Sequence, residues 1–114
     1  MCGSVGLHAS THCLMPRVIW TESASAQLAD IESDELEDQL IALAFGLNRF
    51  PEHGRRIPEL FGDPEYNIVR EVILPRKSRL LYLFIPDSDE VLVLGIILRG
   101  GIFRREVLGH YFNP

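Results

Sequence analysis

The sequence predicts an α+β fold: an N-terminal strand, a two-helix hairpin, then a three-stranded antiparallel meander. Three observations carry this expectation. A short β-branched and aromatic run, Arg17-Val18-Ile19-Trp20-Thr21, precedes two stretches with helical apolar spacing. Three apolar runs then follow, divided by turns of hairpin length. Between the two halves lies FPEHGRRIPELFGDPEY, whose three prolines and two glycines suit no regular element.

Each element has its own justification. Arg17–Thr21 reads as a strand because branched and aromatic side chains fit a pleated, half-buried surface. A helix starts at once: Thr21 can cap it, Glu22 suits its first turn, and Ala24, Leu28 and Ile31 share one face. The second helix is expected to begin at Asp34, as a cap with Glu37 reaching back in a capping box. Its apolar stripe is Leu36, Leu40, Leu43 and Leu47, widened by Ile41 and Ala44, against a wet face of Glu35, Asp38 and Gln39. Phe50-Pro51 is expected to close it. The irregular connection is longer than most, and long connections often carry function. The meander strands are expected at Asn67–Leu74, Arg79–Ile85 and Val91–Leu98, and the first strand is free to join their sheet.

At 114 residues with 46% apolar content, the chain has room for one domain and one modest core. Residues 1–14 read as a disordered leader ahead of a single domain at 15–114, with Met15 as a candidate translation start. The formal charge of −5 argues against a surface built on many phosphate contacts. The charge is uneven: Arg17 is the sole cation up to residue 46, so the basic groups belong to the C-terminal half. Cys2 and Cys13 both lie in the leader, which implies no disulfide framework and fits a reducing cytoplasm. Together with His8 and His12 they match no compact zinc spacing, so neither metal nor cofactor is expected. The apolar runs are much shorter than the roughly 20 residues that span a bilayer, so no membrane association is expected.

A small sheet with helices on one face should alternate apolar and polar residues, because its other face meets water. Residues 80–85 and 91–98 do not alternate. Either the irregular loop and the tail from Ile102 fold over the second face, or another chain docks there. In the second case Leu81, Leu83, Ile85, Val93 and Ile97 are the expected partner-binding residues. The partner would then be an amphipathic helix or an added strand, and the acidic N-terminal half favours a basic segment.

The segments VIWTESASAQLADI, FPEHGRRIPEL and REVILPRKSRLLYLFIPDSDEVLVLGIILRGG, in this order, give the chain a resemblance to the ParE/RelE toxin superfamily over roughly residues 16–101. The proline-glycine segment points to the ParE-like branch. Two departures stand out: Ser78-Arg79 where the family commonly has Tyr-Arg, and Arg99-Gly100-Gly101 where many members have His-Gly-Arg-Arg.

The resemblance implies the toxin of a type II toxin-antitoxin system, held silent by a cognate antitoxin and meeting DNA only through it. ParE-like members poison DNA gyrase without being nucleases, whereas RelE-like members cleave messenger RNA on the ribosome. RNA cleavage of that kind needs cations around the reacting phosphate and a group that moves a proton. Arg70, Arg79 and Arg99 are the strand-borne candidates, whether for RNA cleavage or for target contact. Arg76 and Lys77 could guide RNA, with His110 or Tyr111 as proton carriers. Each arginine has an ordinary alternative, pairing with Glu71, Asp87 or Glu90. Glu52 and His53 are read as solvent-facing rather than as a base pair, and Trp20 and Tyr82 as core or interface aromatics. The acidic net charge favours gyrase inhibition over ribosomal cleavage. A third reading is a non-toxic binding module or co-repressor.

Overall fold

The computed structural model describes residues 16–60, 62–64 and 68–103. The leader, Met15, the Cys2, His8, His12 and Cys13 set, His110 and Tyr111 lie outside the described residues. The order is β1 (Arg17–Trp20), α1 (Glu22–Ala29), α2 (Asp34–Gly46), β2 (Arg55–Arg56), β3 (Arg70–Ile73), β4 (Arg79–Ile85) and β5 (Glu90–Ile97). They form an α+β fold with one five-stranded sheet in the order β1-β5-β4-β3-β2. β1 runs parallel to β5, and every other pairing is antiparallel. No helix among the described residues is long and apolar enough to cross a membrane.

Local sequence explains where these elements start and stop. The Thr21 side chain accepts from the Ala24 N–H and starts α1 as expected. α2 corrects the expectation by one residue, because Ser33 is its cap and accepts from the Leu36 N–H. Asp34 is thus the first helical residue, where its charge favours the positive helix end, and the expected Asp34–Glu37 box does not arise. α2 ends at Gly46, before Phe50-Pro51, through a turn in which Leu47, Asn48 and Arg49 donate back to Ala44, Phe45 and Gly46. Both meander turns place a non-glycine residue in left-handed backbone, Lys77 at φ 65° and Asp89 at φ 52°.

The sheet is closed on both faces by this chain. On the helix face, Leu80, Tyr82, Val91, Val93 and Ile96 pack with Ala24, Leu40, Ala44 and Leu47. On the other, Leu81, Leu83, Leu92, Leu94 and Ile97 pack with Ile57 and Leu60 from the proline-glycine segment and with Phe103. The segment was expected to be irregular throughout. Its Arg55–Arg56 instead pairs with Arg70 and Glu71, and Pro58–Leu60 forms a 3-10 turn.

This arrangement corrects the expected partner surface. Leu81, Leu83 and Ile97 are buried beneath the loop, and Ile85 is half-buried beside them. Val93 is fully buried on the opposite face, against the helices. The physical reason is a bulge in β5: Leu81 pairs with Gly95 and Tyr82 with Val93, so Leu94 is the extra residue. Strict alternation would put Val93 and Ile97 on one face, and the bulge reverses the parity between them. α1 supports the irregularity, since the Gln27 side-chain amide oxygen (Oε1) accepts the Ile96 N–H at 2.8 Å.

Candidate functional site

The three arginines singled out from the sequence do not converge. Arg70 sits opposite Tyr82 in the register and therefore on the helix face, whereas Arg79 shares the loop-covered face with Leu81 and Leu83. Arg99 follows β5 and is exposed at the end of the sheet. The antiparallel pleat explains the split, because residues an odd number apart along paired strands point to opposite faces.

On the loop face, Glu71 is the centre of a closed ionic cluster. Its side chain is fully buried, with one oxygen accepting from Arg79 at 3.0 Å and the other from Arg55 at 2.9 Å. Arg79 also reaches Glu59 at 3.3 Å. A buried carboxylate costs several kcal/mol unless its charge is met, and here two guanidinium groups meet it. Both carboxylates are held by Arg79, Arg55 and the loop itself, so the guanidinium of Arg79 is already committed. The expected pairing of an arginine with Glu71 is what occurs.

On the helix face, Arg70 is likewise engaged. It donates to the Gly54 carbonyl at 2.7 Å and more weakly to that of Glu52 at 3.4 Å. Gly54 in turn donates its N–H to the Tyr82 hydroxyl at 2.8 Å. A Cβ at Gly54 would lie 2.7 Å from both the Glu71 carbonyl oxygen and the Tyr82 ring, so only glycine allows this approach. Burial holds the Tyr82 phenol above its ordinary pKa, against the opposing pull of the Gly54 hydrogen bond and the Arg70 charge. Tyr82 belongs to the core, as the sequence indicates. Glu52 and His53 are both exposed and form no hydrogen bond with each other among the described residues.

The Pro-Gly segment thus straddles the outer edge of β3. Gly54 is pinned on the helix side, Arg55 is tied to Glu71, and Ile57 and Leu60 cover the other face. Sequence reasoning foresaw an arginine on Glu71 but missed the tie from Glu71 to Arg55 of the segment and the pin at Gly54. The signal present was the density of arginine and glutamate within FPEHGRRIPEL and REVILPRKSR, whose pairing needs the fold to be seen.

The uncommitted cations lie elsewhere. Arg76, Lys77 and Arg99 have no ion pair among the described residues. Arg76 and Arg99 flank a cleft of about 290 Å³ between the start of α2 and the β3–β4 turn, lined also by Ser33, Glu35 and Ser78. No group of three His, Cys, Asp or Glu side chains that could hold a metal occurs among the described residues.

No protein-family model and no curated protein matches the chain. Solved structures do. The toxin-antitoxin complex RelBE2 of Mycobacterium tuberculosis is similar with a TM-score of 0.61 and 21% identity, over 73% of this chain and 96% of that one. The isolated RelE toxin of E. coli gives 0.58 and 19%, over 85% of this chain and 95% of that one. The intact E. coli RelBE toxin-antitoxin complex gives 0.56 and 17%, over 78% of this chain and 99% of that one. With identity this low it is architecture that is shared: the strand, helix pair and antiparallel meander described above form a RelE-like fold.

Proposed function

We propose that the chain is the toxin of a type II toxin-antitoxin pair, silenced by a cognate antitoxin in the cytoplasm, and that it acts by binding a protein target, DNA gyrase, rather than by cutting RNA. The toxin part of this reading is supported by a RelE-like fold that extends over 95% or more of each compared chain, one of them the isolated RelE toxin of E. coli. The preference for a binding mechanism has a single carrier: Arg79 is tied to buried Glu71 and to Glu59, while Arg70 faces the other side of the sheet. A phosphate clamp needs cations that converge and are free to pair with the substrate. Arg70 and Arg79 meet neither condition. The acidic net charge of −5 points the same way, since the long-range field repels RNA.

Messenger RNA cleavage on the ribosome is the second reading, and the unpaired Arg76, Lys77 and Arg99 are what favours it. Induction of the chain in bacterial cells, with supercoiling by purified gyrase and the integrity of translated messages followed in parallel, separates the two. Growth arrest with lost supercoiling and intact messages is expected, and Arg79→Ala should arrest growth as the parent does wherever it remains folded. Cleaved messages with unchanged supercoiling would replace the first reading by the second. Absence of arrest would leave the non-toxic binding module.

A further inference from the structure

The two edges of the sheet are finished differently. β2, at one edge, is only two arginines long, with Gly54 before it pinned to Tyr82 and Arg55 tied to Glu71. β1, at the other, is four residues long and carries a single charge, Arg17, at its start. Among the described residues nothing pairs with its outer side. Edge strands are ordinarily blunted by a charge, a proline, a bulge or a covering segment, because a bare row of backbone donors and acceptors templates another strand. Val18-Ile19-Trp20 contains no charge, no proline and no bulge.

The ladder fixes which backbone groups face outward. Arg17 donates its N–H to the Asp89 carbonyl and Thr21 donates to that of Val93, both toward β5. Backbone groups alternate sides along a strand, so Ile19 also faces β5, while the N–H and C=O of Val18 and Trp20 point away from the sheet. These two residues stand symmetrically about Ile19. A second β1 laid antiparallel along the edge, with Ile19 opposite its own copy, sets Val18 opposite Trp20 twice, and each such pair exchanges both hydrogen bonds. A shift by one residue opposes outward groups to inward ones. A shift by two pairs Trp20 with Pro16, which has no N–H, or Val18 with Glu22, already in α1. The side chains agree with the symmetric register. Val18 and Trp20 lie on the helix face and meet as branched-aromatic pairs, and the two Ile19 side chains meet on the other face. All three are only half-buried in the single chain. The charges agree as well, because Arg17 stands opposite Thr21 of the second copy and beside its exposed Glu22. The Arg17 side chain is 73% exposed and gives one nitrogen to Glu90, which leaves donors for that second carboxylate. We propose that β1 is a self-pairing edge: two copies of the chain join β1 to β1, antiparallel about Ile19, into one continuous sheet. This holds whether or not the chain is a toxin, and the short seam makes the dimer weak and concentration-dependent.

Sedimentation velocity of the full purified chain, over a series from micromolar to millimolar, should show a reversible monomer-dimer equilibrium. Hydrogen exchange at the two ends of the series tests the register. The Val18 and Trp20 amides, open in the monomer, should slow about tenfold in the concentrated sample, while the Ile19 amide, bonded to β5 in both, should change little. Arg17→Glu sets two acids side by side at each end of the seam and should weaken dimerisation about tenfold. Adding Glu22→Arg to it should restore the parent affinity; both positions are exposed, so the variants should fold, which circular dichroism checks. A monomer at every concentration, a dimer whose Val18 and Trp20 amides exchange as fast as in the dilute sample, or no rescue by Glu22→Arg would overturn the assignment. Slowing of these amides only when a different protein is added would give the edge to a foreign strand and overturn it too.

Discussion

On one face of the sheet, Leu80, Tyr82, Val91 and Val93 meet two helices through Leu40, Ala44 and Leu47. On the other, Leu81, Leu83, Leu92 and Leu94 meet a strip of irregular chain through Ile57 and Leu60. Both are buried, but by different means. The helices satisfy their own backbone hydrogen bonds and need only present an apolar stripe. The strip has no such internal ladder, and the polar latches at Gly54, Arg55 and Glu59 are what hold it. A thin lid over an apolar face requires electrostatics where a helical layer requires packing alone.

The largest expected effect tests that difference directly. Leu40→Ala, in the fully buried helix-side core, should cost about 4 kcal/mol, because a helix pair packed on the sheet cannot collapse into the cavity. Ile57→Ala is equally buried but should cost only about 2 kcal/mol, since an irregular strip can settle onto Leu81 and Leu83. Urea denaturation of both variants reads this out. An Ile57→Ala loss equal to that of Leu40→Ala would mean that the strip is as rigid as the helices.

Gly54→Ala comes next, at about 3 kcal/mol. The added methyl would meet backbone at Glu71 as well as the Tyr82 ring, so at least one of the contacts cannot be relieved by a side-chain rotation. The lost stability should be accompanied by faster exchange of the Ile57 and Leu60 amides, because the strip lifts at its pinned end. Exchange that stays slow at these amides would show that the strip is held without Gly54.

Much of the architecture could be read from the residues alone. β1, the Thr21 cap and β4 fall where propensity and periodicity put them, since their patterns are local. The failures are equally instructive. The Leu94 bulge depends on Gln27 reaching Ile96 from 69 residues away, and nothing in the alternation of 91–98 reports it. Arg70 and Arg79 looked like one cationic group because both stand in strands close in sequence, but the pleat assigns them to opposite faces. Likewise the doubly apolar strands correctly signalled a covered second face, while the identity of the cover depended on a segment rich in proline, glycine and charge, whose buried apolar contributions among the described residues are Ile57 and Leu60. Ile41 was assigned to the apolar stripe of α2 and is instead 45% exposed, beside Phe45.

Glu71→Gln should cost about 2 kcal/mol, less than the several expected for stranding a fully buried cation. The reason is positional: the side chain of Arg55 is 59% exposed and can return to water, and Arg79 keeps Glu59. The neutral amide preserves shape, so the change isolates charge. Denaturant midpoints should therefore rank Glu71→Gln between Gly54→Ala and the next variant. A neutral result would mean that the strip is held by packing, which would remove the contrast between the two faces.

Tyr82→Phe is the smallest of the series and the most specific, because it touches both faces of the argument with one atom. Removing the hydroxyl leaves the buried Gly54 N–H without its acceptor, at a cost of about 1 kcal/mol below pH 9. The sign of the pH dependence follows from the raised phenol pKa. In the unfolded chain Tyr82 ionises near 10.0, while burial keeps it protonated to higher pH in the folded one. The folded state therefore binds the proton more tightly, and stability from this group is complete below pH 10 and declines as pH climbs from there toward the folded value. Parent and variant should consequently converge above pH 10, the parent losing stability more steeply. Parallel profiles from pH 9 to 11 would show that the phenol is as accessible to solvent in the folded protein as in the unfolded chain, and the pin beneath Gly54 would then have to be open.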